Sequence, residues 1–268
     1  MRWIEETNVL LCSFLLLYSI LSKARNFTVI ESFSFLPTCF LSLFSKRSVY
    51  WMFCGEDEGD IVFDDIRPAN AFTTIQNAIS RLLKNDHRII TLGGDHSVSY
   101  PVIDAFSEHY KNLHVLHLDA HCDLYENFDN NPFSHASPFA RIMEQGRVQS
   151  LTQVGIRTLN THQQAQAKKF GVTIIEMKDF NYEFIEKLAS PLYISLDLDV
   201  LDPAFAPGVS HHEPGGLSAR ELLTIIQKIK VPVTGADIVE YNPIRDINNM
   251  TAMVAYKLMK ELISIMTD

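Results

Sequence analysis

The sequence predicts an α/β fold in three layers, α/β/α, with helices on both faces of a mainly parallel sheet and an irregular N-terminal part. Two observations carry this. From Ile89 onward, short apolar runs alternate with stretches whose apolar residues recur at helical spacing. Strands separated by helices in that rhythm indicate a parallel sheet covered on both faces. Three of the runs, Ile89–Leu92, Leu113–Leu118 and Tyr193–Leu196, end abruptly in potential metal ligands, and ligands of such sheets bind beyond the carboxyl ends of the strands.

The elements follow in order. Residues 1–54 are rich in Leu, Phe and Ser without a sustained period, and form an atypical apolar N-terminal segment that stays unassigned. Within it Val9–Leu21 is nearly all apolar, but Glu5 and Glu6 precede it, no clean cleavage site follows, and it is short for a membrane span. A buried helix or strand is the expectation there; a membrane or secretory segment and an aberrant translation start are the other readings. Residues 55–268 form one domain. Gly55–Asp60 is acidic and turn-like, Ile61–Phe63 predicts a short strand, and Pro68 precedes a helix over Ala69–Asn85 with Phe72, Ile75, Ile79, Leu82 and Leu83 on one face. Strand Ile89–Leu92, helix Val102–Tyr110, strand Leu113–Leu118 and helix Ala136–Gln145 come next. They are followed by strand Leu151–Gly155, helix Thr161–Phe170 stopped by Gly171, strand Val172–Ile175, helix Tyr182–Leu188 and strand Leu192–Leu196. A Pro- and Gly-rich loop, Asp202–Gly216, leads to Ser218, which caps helix Ala219–Lys228 with Glu221 in the capping-box position. Strand Val233–Val239 and an amphipathic helix over Thr251–Met266 complete the series.

Of the 268 residues 47% are hydrophobic, enough for a sizeable core. The net charge of -9 argues against a nucleic-acid partner and against an anionic membrane surface, and suits a small cationic substrate. Cys12, Cys39, Cys54 and Cys122 form neither a CxxC pair nor a dense framework, so a reducing, cytoplasmic setting is expected.

The chemistry lies at the strand ends. If the Leu113–Leu118 strand continues, the alternate residues Asp119, His121 and Asp123 converge, while Ala120 and Cys122 turn away. Asp197 and Asp199 repeat the spacing, and His96 follows the Gly93–Gly94 turn. Four carboxylates in one pocket repel, and two divalent cations supply the matching positive charge. Oxygen-rich ligands with imidazole and no thiolate suit Mn²⁺, and two metals sharing a water lower its pKa, so hydrolysis or a related addition is expected. Asp95 and Asp202 sit in tight turns and are assigned to backbone hydrogen bonding.

GGDHS at Gly93–Ser97, DAHCD at Asp119–Asp123 and SLDLDVLDPAFAPG at Ser195–Gly208 resemble the three signatures of the manganese ureohydrolases, the arginase and agmatinase family. Ser134–Gly146, Gly208–Ser218 and Gly235–Asp246 are most similar to plant-type arginases. The resemblance runs from about Gly59 to the C-terminus. It implies an arginase-like fold and makes residues 55–268 a ureohydrolase catalytic domain. It also implies two Mn²⁺ per chain, one held by His96, Asp119, Asp123 and Asp197 and the other by His121, Asp119, Asp197 and Asp199, with Asp119 and Asp197 bridging. In the family mechanism a metal-bridging hydroxide attacks the guanidinium carbon, and the tetrahedral intermediate collapses to urea and an amine. Asp123 then orients the nucleophile and passes its proton on, Glu240 pairs with the substrate guanidinium, and His135 shuttles protons at the substrate. His211 stands where many members have threonine, so a substrate-side role and a structural one both stay open. Family members are usually trimers or hexamers, which implies a homo-oligomer.

The functional expectation is urea release from a guanidino compound, with agmatine, giving putrescine, slightly preferred over L-arginine. Other guanidino substrates, a one-zinc deacetylase on the related fold and an inactive homologue are the alternatives. No counterpart of the family's first strand and helix is recognisable in residues 1–54.

Overall fold

Strands fall on the short apolar runs and helices on the stretches between them, in a computed structural model that describes residues 29–33, 56–63, 68–85 and 87–267. The strands are β1 (Val29–Phe33), β2 (Glu56–Asp60), β3 (Arg88–Leu92), β4 (Leu113–Leu118), β5 (Val148–Ile156), β6 (Thr173–Glu176), β7 (Leu192–Asp197) and β8 (Val233–Val239). The helices are α1 (Pro68–Leu83), α2 (Ser99–His109), α3 (Pro138–Gln145), α4 (Thr161–Phe170), α5 (Ala219–Lys228) and α6 (Met250–Thr267). All eight strands join one sheet in the order β2-β1-β3-β8-β7-β4-β5-β6. Every pairing from β3 to β6 is parallel, and β1 runs antiparallel to both β2 and β3.

Alternation along the strands divides the core between two helix layers. In β4, Leu113 and Val115 pack with α1, α2 and α3 through Ile75, Ile79, Phe106 and Phe139. Leu116 and Leu118 face the other way and pack with α5 and α6 through Leu222, Ile226, Leu258 and Leu262. The α5 cap forms as its sequence requires: Ser218 Oγ accepts from Glu221 N at 3.2 Å, and Glu221 Oε2 accepts from Ser218 N at 2.8 Å.

Three expectations change. Ile61–Phe63 is not a strand: its register with β1 ends at Asp60, and Val62 is 75% exposed. The strand is Glu56–Asp60, in the acidic stretch that reads as a turn. The Tyr182–Leu188 helix is a five-residue 3₁₀ turn, Glu183–Lys187, in which only Phe184 is buried. A single apolar anchor of that kind does not hold a longer helix against the core. Five residues of the unassigned N-terminal segment supply β1, which extends the sheet beyond β3. The apolar stretch Val9–Leu21 lies outside the described residues. No helix among the described residues is long and apolar enough to cross a membrane.

Gly155, near the end of β5, sets how closely the strand ends approach one another. Its φ is 101°, and a Cβ there would lie 2.8 Å from the Asp119 carbonyl oxygen and 2.6 Å from Val200 Cγ2. Both the conformation and the space demand glycine. Gly155→Ala is expected to destabilise the chain by about 2 kcal/mol or more and to lower its melting temperature by roughly 5 °C in a thermal scan. An unchanged melting temperature contradicts this account.

Candidate metal centre

Strands β3, β8, β7 and β4 are sheet neighbours and all parallel, so their carboxyl ends open on one edge. His96 follows β3, Asp119, His121 and Asp123 follow β4, Asp197 ends β7 with Asp199 in the 3₁₀ turn after it, and Glu240 follows β8. The two-residue spacing works differently from the expected strand pleat. β4 stops at Leu118, and the Asp119 carboxylate folds the chain by accepting the His121 N–H on Oδ1 at 2.6 Å. Asp197 does the same with the Asp199 N–H at 2.7 Å. Such turns, in which a carboxylate binds the N–H two residues on, bring residues i and i+2 to one side without an extended backbone. Asp95 and Asp202 make the same turn, to Ser97 N at 3.0 Å and Ala204 N at 2.9 Å, as their sequence context requires. Ala120 and Cys122 are fully buried away from the site, and burial pushes the Cys122 thiol up.

Two clusters result. In the first, His96 Nδ1 lies 3.0 Å from Asp119 Oδ2, 3.1 Å from Asp123 Oδ2 and 3.2 Å from Asp197 Oδ2. In the second, His121 Nδ1 lies 3.0 Å from Asp199 Oδ2 and 3.3 Å from Asp119 Oδ1. Asp119 therefore turns one oxygen to each cluster. Asp197 reaches the first cluster through Oδ2, while its Oδ1 accepts the Asp199 N–H. The residues fit a pair of cations. His96 Nδ1 is buried without a hydrogen bond, while Nε2 lies 3.1 Å from Ser195 Oγ, which itself donates to Asp237 Oδ1 at 2.8 Å. Nε2 thus carries a proton toward Ser195, and Nδ1 is the ring nitrogen that faces three carboxylate oxygens. A cation is the group that relieves this arrangement.

The electrostatics agree. Burial favours neutral imidazoles, but Asp119, Asp123 and Asp197 hold His96 well above the ordinary range, and Asp119 and Asp199 push His121 up to about 12. Burial together with the Asp119 charge pushes Asp123 up to about 6, and burial with neighbouring carboxylates raises Asp197 and Asp199. Burial opposes the charge on Asp119 as well, yet the imidazoles of His117, His121 and His96 keep it well below the usual carboxylate range. The pocket is short of positive charge, and protons fill the deficit wherever cations do not.

Above the centre lies a cleft of about 200 Å³ lined by Asp123, Tyr125, Phe128, His135, Thr158, Gln163, His211, Glu213 and Glu240. Glu240, 8% exposed, has a φ of 65° and accepts the His96 N–H on Oε1 at 2.9 Å. The His135 and His211 rings stack with centroids 5.4 Å apart, and His211 stands edge-on to His121 at 5.8 Å. Burial lowers the His135 pKa. All the site residues expected from the sequence meet here.

Several supporting groups escape a reading of the motifs. Arg157 donates through Nη2 to the carbonyls of Asp199 and Glu213, each at 2.6 Å, and pins the β7 turn to the long loop. His117, on β4, stands 2.7 Å from Asp119 Oδ2, and burial pushes it down to about 4. Gln153, on β5, is 2.9 Å from His117. The signal of His117 and Gln153 is polarity at fully buried strand positions, where an unpaired polar group is costly.

A sequence profile of the Arginase family matches residues 48–264. "Arginase 1, mitochondrial" of Arabidopsis thaliana is 48% identical over 221 residues, covering 77% of this chain and 65% of that protein. The "Agmatinase" of Bacillus cereus is 34% identical, covering 77% and 73%. The solved structure "Arginase from Medicago truncatula" superposes with a TM-score of 0.70 at 42% identity, covering 75% of this chain and 66% of that one. The chain thus spans about 65% of the length of the plant relatives it matches.

Because Asp119 faces both clusters, Asp119→Ala is expected to abolish divalent-ion binding at both, whereas His121→Ala weakens mainly one. Metal content after dialysis measures this, and equal retention in the two variants refutes it. His96 and His121 are protonated near neutrality in the ion-free chain, so ion binding displaces protons. Affinity is therefore expected to fall as pH falls, with proton release visible by calorimetry in buffers of different ionisation enthalpy. Binding without proton release contradicts the charge argument.

Proposed function

Because the chain belongs to the arginase family, we propose that it hydrolyses the guanidino C–N bond of L-arginine to ornithine and urea, with two Mn²⁺ at the centre. One observation carries the reading: a single carboxylate, Asp119, divided between two converging His/Asp clusters. The second cluster weighs against a one-zinc deacetylase, which needs only the first. The relatives support L-arginine over the slight preference for agmatine from the sequence, since plant arginases stand well above the agmatinases in identity.

A bound Mn²⁺ pair supplies Lewis acidity and a water acidic enough to act as a nucleophile at neutral pH. The chain's own residues do the rest. Glu240 has one oxygen fixed by the His96 N–H, leaving the other free to meet a planar cation from the cleft side. Its left-handed backbone is an unfavourable conformation for glutamate, and it is held by a hydrogen bond from Glu240 N to the Gly94 carbonyl at 2.9 Å. Asp123, also at positive φ, reaches both the first cluster and the cleft, where a carboxylate can take a proton from the attacking water and give it to the departing nitrogen. His135 lies at the cleft wall with a lowered pKa, so it is neutral near pH 7 and can carry a proton between the site and solvent.

Urea release from L-arginine and agmatine, measured side by side with Mn²⁺ present, tests the assignment. Turnover of L-arginine at least tenfold more efficient is expected. Preference for agmatine overturns the substrate, and no urea from either overturns the hydrolase reading. Glu240→Gln is expected to lower kcat/KM by roughly 10- to 100-fold, the loss of one charged hydrogen-bonded pair.

A further inference from the structure

His117 has the right atoms and the right place to be taken for a metal ligand, since it stands with His96, Asp119 and Asp123 in one convergent group. Its hydrogen bonds decide otherwise. The Gln153 side-chain nitrogen donates to the Cys122 carbonyl at 2.6 Å, and this fixes which end of the amide is NH₂, because a carbonyl accepts only from a donor. The opposite amide orientation would set two oxygens against each other. The same NH₂ lies 2.9 Å from His117 Nδ1, which must accept. The ring proton is therefore on Nε2, and Nε2 points at Asp119 Oδ2 from 2.7 Å. No lone pair remains on that nitrogen for an ion. Phe139, stacked on the His117 ring with centroids 3.8 Å apart, holds the ring in this plane.

We propose that Gln153 and His117 form a tautomer-setting relay that makes His117 a positioning residue, a fixed donor to the bridging carboxylate of Asp119 and not a ligand. Asp119 is then gripped at both oxygens, Oδ2 by His117 Nε2–H and Oδ1 by the His121 N–H at 2.6 Å. With rotation of the carboxylate blocked, each oxygen keeps its own cluster, and the bridge is ready before either ion arrives. Hydrogen bonds of this kind behind a ligand typically change metal affinity by about 10- to 100-fold when removed. The inference rests on the two-Mn²⁺ reading of the centre.

The test is a calorimetric Mn²⁺ titration of the full chain, with ion stoichiometry read at saturation and folding checked by thermal melting. In His117→Phe, which keeps the stacked ring and removes the donor, two ions are still expected to bind, both about 10- to 100-fold more weakly. His117→Gln, whose amide can donate from nearly the same point, is expected to recover most of that loss. Gln153→Leu frees the tautomer and is expected to weaken binding in the same direction. Combined with His117→Phe it adds nothing further, because the relay acts through one ring. If His117→Phe fails to fold, the Gln153→Leu affinity alone decides by the same criterion. Unchanged affinity in the folded variants overturns the relay, and so does a fall to one ion per chain, which would make His117 a ligand. Absence of paired ions in the unsubstituted chain overturns the two-metal reading and this inference with it, a result distinct from both.

Discussion

Everything in this molecule answers to the repulsion among the carboxylates of Asp119, Asp123, Asp197 and Asp199, buried together with 0–5% exposure. Buried charge of one sign is unstable unless compensated. Each carboxylate is therefore supported at close range: Asp119 by His117 and the His121 N–H, Asp123 by the His96 ring at 3.1 Å, Asp197 by the Asp199 N–H, and Asp199 by the Ala120 N–H at 3.1 Å. These contacts hold the ligands in position but do not cancel their charge. The remaining deficit of positive charge is what suits the site to cations.

The scaffold meets this demand by using strands that are buried on both faces. Leu, Ile and Val from β4, β7 and β8 pack against helices on either side, so the strand ends have little freedom to move apart. Two of the residues that face the cleft carry backbone strain. Asp123 and Glu240 both adopt left-handed backbone conformations, and the close approach at Gly155 fixes where the Asp119 turn sits relative to Val200. Rigid strands and strained turns together place side chains from four separated stretches of chain within hydrogen-bonding distance.

Much of this was legible in the sequence. The parallel sheet follows from the alternation of apolar runs and helical stretches, and the six candidate ligands are singled out by the motifs at the strand ends. α4, α5 and β8 fall on the residues their caps and apolar runs predict, because Gly171, Ser218 and Val233–Val239 carry unambiguous local signals. The rest depended on contacts that local sequence does not encode. Glu56–Asp60 is acidic and contains a glycine, so it has no strand propensity of its own and pairs only because β1 lies beside it. The convergence of Asp119 with His121 came from a carboxylate turn and not from the pleat, a distinction the spacing alone does not make. His117 and Gln153 are 36 residues apart, and their partnership appears only when β4 and β5 are paired in register, His117 beside Gln153.

The strand order has a consequence for how the site comes into being. β8 is the last strand in the sequence among the described residues, yet it lies between β3 and β7 in the middle of the sheet. A chain emerging from the ribosome can pair β4 with β5 and β7, but His96 on the far side has no neighbour to bring it alongside Asp197 until Val233–Val239 is available to fill the gap. The two halves of the acidic cluster thus remain apart until β8 is in place. Assembly of the candidate centre waits on β8, and a fragment ending before β8 carries its residues without bringing them together.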